Sequence, residues 1–373
     1  MAIIKQHEED FIVKEIYKDF KIKKDRSEYS YYVMMKKGLT TYDAISKIAS
    51  KLNLDIKDIG YAGNKDKKAI TFQMISLPTF FLKQDPSEIF NDETLALEFY
   101  GYSDQPIKLG DLKGNIFEIT ARECKVKLPK TIEDFYFANY FDDQRFSINN
   151  VKIGEAIIKN DFKSAITYIL EYSFPDAKDK FGFWMDFEII KADKVSKIIL
   201  EHLLKQPKDL VGAIRKIPIN ISLIYIHSYQ SFLFNEILNK FTELYFEKKY
   251  PIKIMNRTYY TSDERIKYLD EVKIPLVGFA TEISKFALYD ISTLLLELMA
   301  QQEITFRDFV VHPYPLLSTP GNERNAYEKL DITIESKGKS TYVLKFELPP
   351  GSYATTIVKS LFAKFDEEVI VED

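Results

Sequence analysis

Residues able to do chemistry are most concentrated in one run, Gly60-Tyr61-Ala62-Gly63-Asn64-Lys65-Asp66-Lys67-Lys68-Ala69-Ile70-Thr71-Phe72-Gln73. Its two glycines permit close backbone approach or a positive φ. Beyond them Ile70, Phe72 and Met74 alternate with Thr71, Gln73 and Ile75, so a turn feeds a strand. Asp66 falls at the entrance to that strand. Lys65, Lys67 and Lys68 surround it, and nearby opposite charges favour the ionised carboxylate. An anionic nucleophile or base is physically sensible there. An aspartate can equally cap a turn whose lysines are solvated, and spacing alone leaves both readings open.

The elements that must position this run are legible on either side of it. Residues 12–16 and 29–35 read as strands of β-branched and aromatic residues. Thr40-Thr41-Tyr42-Asp43 places a hydroxyl three residues before a carboxylate, a capping-box start. Ala44, Ile45, Ile48, Ala49 and Leu52 then repeat at helical spacing, so one face of that helix is buried. The middle of the chain is richer in helical periodicity, best over 162–172, 195–204 and 229–241. Strand patterns return at 332–334 and 342–348. Pro349-Pro350-Gly351 then turns the chain, and 354–365 resumes a helical period. The shared texture of the two ends predicts one domain formed by 1–150 and 313–373, with 151–312 inserted into it. No internal repeat and no Gly/Ser- or Pro-rich linker interrupts the pattern.

Composition sets outer bounds. The 373 residues, 46% hydrophobic and 29% charged, suit a globular chain of two or three domains, or one large domain carrying an insertion, and disfavour disorder. Lys plus Arg number 52 against 56 Asp plus Glu, a net charge of −4, so no overall basic footprint announces a nucleic-acid binder. Only 8 of the cations are Arg, which limits bidentate phosphate forks. A single cysteine, Cys124, excludes an intramolecular disulfide. The scattered His7, His202, His227 and His312 offer no conventional zinc spacing, so a metal-free protein is expected. Glu8, Glu9 and Asp10 lie where a signal peptide needs a cationic start and an apolar run. The apolar stretch within 291–300 falls short of the roughly 20 residues needed to cross a bilayer. A soluble, cytoplasmic protein with no membrane association is expected.

The segment around Asp66 resembles the signature of the TruD family of tRNA pseudouridine synthases, Gly-Tyr-Ala-Gly-x-Lys-Asp-x-x-Ala-x-Thr-x-Gln. In that family the aspartate is the catalytic nucleophile, so the resemblance places that role on Asp66. Further blocks follow in family order. Lys5-Gln6-His7-Glu8-Glu9-Asp10-Phe11-Ile12-Val13-Lys14-Glu15 resembles the family's Glu-Asp-Phe-x-Val-x-Glu opening with a Lys six residues before the Phe. This implies that Lys5 faces the catalytic aspartate and Phe11 lines the substrate pocket. Read without the resemblance, Lys5 is a solvated terminal charge and Phe11 a core side chain. Leu109-Gly110-x-Leu112-Lys113-Gly114-Asn115-x-Phe117 is similar to a block that turns into a strand near the cleft. There Lys113 either touches phosphate or belongs to a plain turn.

Asn139-Tyr140-Phe141-Asp142-Asp143-Gln144-Arg145-Phe146-Ser147 resembles Asn-Tyr-Phe-Gly-x-Gln-Arg-Phe-Gly, whose Asn and Phe meet the target base. Asn139 would supply an amide and Phe141 an aromatic face, and base stacking contributes about 1–3 kcal/mol. Both family glycines are replaced here, by Asp142 and Ser147, a cost wherever the backbone needs positive φ. Phe346-Glu347-Leu348-Pro349-Pro350-Gly351-Ser352-Tyr353-Ala354-Thr355-Thr356-Ile357-Val358-Lys359 resembles the family's last block. Its aromatic, here Tyr353, is placed at the substrate, while Lys359 replaces the usual Arg with a point charge. His227-Ser228-Tyr229-Gln230-Ser231-Phe232-Leu233-Phe234-Asn235 fits a family helix and reads as well as core packing, so His227 is given no chemistry.

The resemblance implies an α+β fold: a pseudouridine synthase catalytic domain with a mixed, largely antiparallel sheet flanked by helices, plus an inserted α/β TRUD domain. It implies isomerisation of uridine to pseudouridine in tRNA, at position 13 for the bacterial members. No cofactor and no metal are expected, tRNA is the expected partner, and the chain is expected to be a monomer. Two rivals stand beside it. One is an RNA-binding module on the same scaffold with weak catalysis, suggested by Asp142, Ser147 and Lys359. The other is a glycosidase with paired carboxylates, for which Asp66 has no motif-supported partner. The charge balance conceals a local excess at Lys65, Lys67, Lys68, Lys108, Lys113, Lys125, Lys127 and Lys130, which predicts a lysine-lined cleft and salt-sensitive RNA affinity.

Overall fold

The computed structural model describes residues 1–372. Its fold is built on a nine-stranded sheet. From one edge to the other the order is Leu95–Ser103, Tyr29–Lys37, Ile70–Pro78, Phe11–Tyr17, Leu112–Ala121, Tyr342–Leu348, Tyr327–Ser336 and Thr131–Ala138, with the short strand Gly60–Tyr61 pairing beside Ile70–Pro78. Tyr29–Lys37 runs antiparallel to both of its neighbours, and Leu112–Ala121 likewise. Phe11–Tyr17 and Ile70–Pro78 are parallel. The sheet is therefore mixed and mostly antiparallel, with helices against it, as the resemblance implies.

The chain divides into two compact units, one comprising 1–136 and 329–373 and the other 137–328. In the first, the helix Thr41–Leu52 packs on the sheet through Ala44, Ile45, Ile48 and Ala49, which join Tyr32, Met34, Ile75 and Leu77 in one buried cluster. That is the face the helical period predicts. Thr40 caps it in the expected box: its hydroxyl accepts from the Asp43 amide at 3.0 Å, and the Asp43 carboxylate accepts from the Thr40 amide. Asn53 ends the helix in the left-handed conformation. The last helix, Ala354–Ala363, follows the Pro-Pro-Gly turn and is buried along most of its length, including Lys359.

The second unit is helix-rich. Its axis is the 27-residue helix Ile219–Tyr245, in which Tyr229, Leu233, Phe234, Ile237, Leu238 and Phe241 are fully buried. Helices Asn150–Ile158, Phe162–Leu170, Lys194–Leu203, Leu210–Lys216 and Ile291–Gln301 accompany it. Gly154 is required where Asn150–Ile158 crosses the long helix, since a Cβ there would lie 2.1 Å from the Tyr225 carbonyl oxygen. Two antiparallel pairs, Tyr250–Ile254 with Arg257–Thr261 and Lys273–Leu276 with Asn322–Asn325, supply the β component. Among the described residues no helix is long and apolar enough to cross a membrane.

Candidate active site

Asp66 lies in the loop between Gly60–Tyr61 and Ile70–Pro78, and the polar residues beneath that loop explain its shape. On Ile70–Pro78 the buried positions Thr71 and Gln73 face inward while Ile70 and Phe72 are only half-buried. A rule that places apolar residues inside would assign the opposite face. Gln73 is inside because its Nε2 donates to the Gly63 carbonyl at 3.0 Å while its Oε1 accepts from the Thr41 hydroxyl. That hydroxyl in turn accepts from the Lys65 amide at 2.9 Å. One amide side chain and the first residue of a helix thereby satisfy two backbone groups that would otherwise be stranded.

Lys36 completes the support. It stands opposite Thr71 across the strand pair and is 0% exposed. Its ammonium donates to the carbonyls of Asp66 at 2.6 Å, Leu39 at 2.8 Å and Lys65 at 3.4 Å. An ammonium has three N–H donors, and here each has a carbonyl to reach. Burial outweighs the nearby Asp66 and Asp43 charges and pushes the Lys36 pKa down to about 8.

On the solvent side of this framework, the Asp66 carboxylate meets the Lys5 ammonium at 3.7 Å, with side-chain exposures of 21% and 6%. At an effective dielectric of about 20, charges about 4 Å apart attract by roughly 4 kcal/mol before desolvation is subtracted. The pair therefore brings a cation with almost no solvent access against the half-buried carboxylate. Lys5 also lies 4.4 Å from the centre of the Phe11 ring, which packs edge-on against Phe117. Its own backbone is left-handed, at φ 58°, an uncommon conformation for a residue with a Cβ. Lys5, Phe11 and Asp66 are thus gathered into one constellation. Tyr353 belongs to the same unit and forms the N-terminal boundary of Ala354–Ala363, with its carbonyl accepting from the Thr356 hydroxyl at 2.7 Å.

The lysines expected to line a cleft divide into different roles. Lys65 is not solvated: its ammonium faces the Glu15 carboxylate at 2.8 Å with exposures of 5% and 1%, and donates to Asn115 Oδ1. Burial raises the Glu15 pKa, and Lys65 opposes that rise. Asn115 follows Gly114, where a Cβ would lie 2.5 Å from the Leu348 carbonyl oxygen, so glycine is required there. Lys113 pairs with Asp19 at 2.8 Å on the surface, where such a pair is worth little and is readily exchanged for another anion.

In the second unit, Asn139 and Phe141 are held around Arg324. The guanidinium donates to both the backbone and the side-chain oxygen of Asn139 and lies 4.3 Å from the centre of the Phe141 ring. The Asn139 amide nitrogen donates to the Asn325 carbonyl, and Asn235 exchanges two hydrogen bonds with the Phe141 backbone. Both side chains are buried, at 3% and 6% exposure. His227 sits in the long helix, where burial and Arg145 lower its pKa.

The family model of tRNA pseudouridine synthase D (TruD) matches residues 1–361. The chain belongs to the TruD family. A protein of Nanoarchaeum equitans named "Probable tRNA pseudouridine synthase D" is 32% identical to it, the alignment covering 96% of this chain and 98% of the relative. The tRNA pseudouridine synthase D of Aquifex aeolicus is 28% identical over 96% and 97%. A crystal structure of a TruD protein from Methanosarcina mazei shares the fold, with a TM-score of 0.66 at 24% identity, covering 97% of this chain and 93% of the other.

Within the TruD pattern, the two lost glycines behave differently. Asp142 has an ordinary φ of −98°, so its Cβ imposes no backbone strain. Ser147 has φ 50° and ψ −161°, a region suited to glycine, and carries a cost of about 1–3 kcal/mol. Lys359 is 7% exposed within its helix. Sequence reasoning missed Lys36, Arg324 and the support given by Thr41. A signal for Lys36 was present: period-two alternation places it with Tyr32 and Met34 on the inward face of its strand. Nothing in the local sequence marks Arg324, because its partners Asn139 and Phe141 are remote in the chain.

Proposed function

We propose that this protein isomerises uridine to pseudouridine in tRNA, at position 13, with Asp66 as the catalytic carboxylate. In this reaction the bond from C1′ of the ribose to N1 of uracil breaks and the base turns. C5 then bonds to C1′, C5 loses its proton and N1 gains one. The observation that carries the reading is the constellation of Asp66, Lys5 and Phe11, with the carboxylate loop held from below by Gln73 and Thr41. A preorganised anion of limited exposure serves each chemical path open to it: attack on C1′, attack on the base, or removal of the C2′ proton. If attack is on C1′, Asp66 forms an ester that C5 displaces, so the carboxylate is regenerated.

Lys5 would keep Asp66 charged and aimed, and Phe11 and Tyr353 would line the pocket. Asn139 would hydrogen-bond the uracil and Phe141 would supply an aromatic face to it. The working form is a cytoplasmic monomer that acts on tRNA. The reading is tested by mapping pseudouridine in tRNA incubated with the wild type and with Asp66→Asn. Modification by the first and none by the second, with tRNA binding retained in both, is the expected result. Equal turnover by the two removes Asp66 from the mechanism.

A further inference from the structure

The mechanism makes no use of the most deeply buried cation near the site. Lys36 is fully enclosed, and its ammonium is spent on the backbone oxygens of Asp66, Lys65 and Leu39. Burying an ammonium is costly, and neutral donors cap carbonyls elsewhere in this same loop, as Gln73 does for Gly63. Packing and carbonyl satisfaction therefore do not by themselves call for a charge. What the charge adds is a fixed positive field at the peptide that carries the Asp66 side chain, in addition to the Lys5 ammonium that meets the carboxylate.

We propose that Lys36 is a positioning residue of the isomerisation, its protonated ammonium locking the Lys65–Asp66 backbone and adding a second positive charge that favours the reactive carboxylate. The proposal rests on the reading of Asp66 as the catalytic group. Lys36 acts through Asp66 and touches no substrate. The charged groups facing it are Asp66 and Lys65 on the loop and Asp43 on the helix Thr41–Leu52. The two carboxylates support its proton, Lys65 opposes it and burial opposes it most, so the proton is lost as pH rises through about 8. Losing it removes the field and one of three N–H donors together.

The test is the single-turnover rate of pseudouridine formation on a tRNA transcript, measured from pH 6 to 9 beside tRNA affinity. Wild type, Lys36→Met, Lys36→Gln and Asp66→Asn are compared, with unfolding midpoints showing which variants fold. For wild type the rate is expected to fall on the alkaline side through about pH 8 while tRNA affinity holds. Both Lys36 variants are expected to lose about 100-fold in rate with affinity nearly unchanged, and to lose the alkaline limb. A folded variant with wild-type rate overturns the proposal. So does a slow variant that keeps the limb, because loosened packing alone slows turnover equally at every pH. If neither variant folds, the wild-type profile decides, and a rate flat to pH 9 overturns the proposal. Asp66→Asn separates the two claims: its inactivity secures the reading beneath the proposal, and if it turns over like wild type that reading falls and the proposal with it.

Discussion

At the residue scale, Asp66 is confined by its neighbours. Lys5 meets the carboxylate at 3.7 Å and the Asp66 carbonyl is tied to Lys36, so side chain and backbone are each held by a cation. Removing Lys5 should cost more than removing an exposed lysine. Lys5→Met is expected to slow the isomerisation by about 100-fold, read in single turnover, while tRNA affinity changes little. Ser147 offers a separate test. Its backbone conformation suits glycine, so Ser147→Gly is expected to raise stability by about 1 kcal/mol, read as a higher unfolding midpoint. Cys124 is buried and its thiol is pushed up to about 12, so native protein should react with thiol reagents only as fast as it opens.

At the element scale, the loop depends on where three elements end or turn. Thr40 caps the helix whose first residue, Thr41, accepts from the Lys65 amide and donates to Gln73. Thr40→Ala is expected to cost about 1 kcal/mol, and because the same helix start carries Thr41, to lower the turnover rate as well as the unfolding midpoint. A comparable cap removed at Asp161, on a helix of the second unit, should lower the midpoint alone. Much of this arrangement was legible in the sequence. Thr40 and Asp43 announced the cap, Ala44, Ile45, Ile48 and Ala49 announced the buried face, and the Gly60 to Gln73 run located the loop. What was not legible was polar burial. Thr71, Gln73 and Lys36 occupy inward positions that patterning reserves for apolar residues, because the carbonyls they serve arrive from other segments. The Lys65 to Glu15 pair was not legible for the same reason: a lysine among lysines shows no partner until its distant carboxylate is known.

At the scale of the whole molecule, net charge and pH response come from different sources. A chain of net charge −4 must bind tRNA through local lysines, so affinity should fall about tenfold or more between 50 and 200 mM salt, measured by equilibrium binding. Stability should respond to pH through Lys36. Between about pH 8, its folded value, and 10.5, its ordinary value, the unfolded chain holds this proton and the folded chain does not. Over that window the lysine's contribution to stability rises with pH, so the stability of wild type relative to Lys36→Met should increase from pH 8 to 10 in denaturant titrations. The fold would then gain stability through the range in which the reaction slows. The most direct measurement of the central claim remains site-resolved pseudouridine mapping of tRNA treated with wild type and Asp66→Asn, with binding measured beside it. The account predicts pseudouridine at position 13 with wild type, none with Asp66→Asn and similar tRNA affinity for both. Pseudouridine at wild-type levels from Asp66→Asn would contradict it.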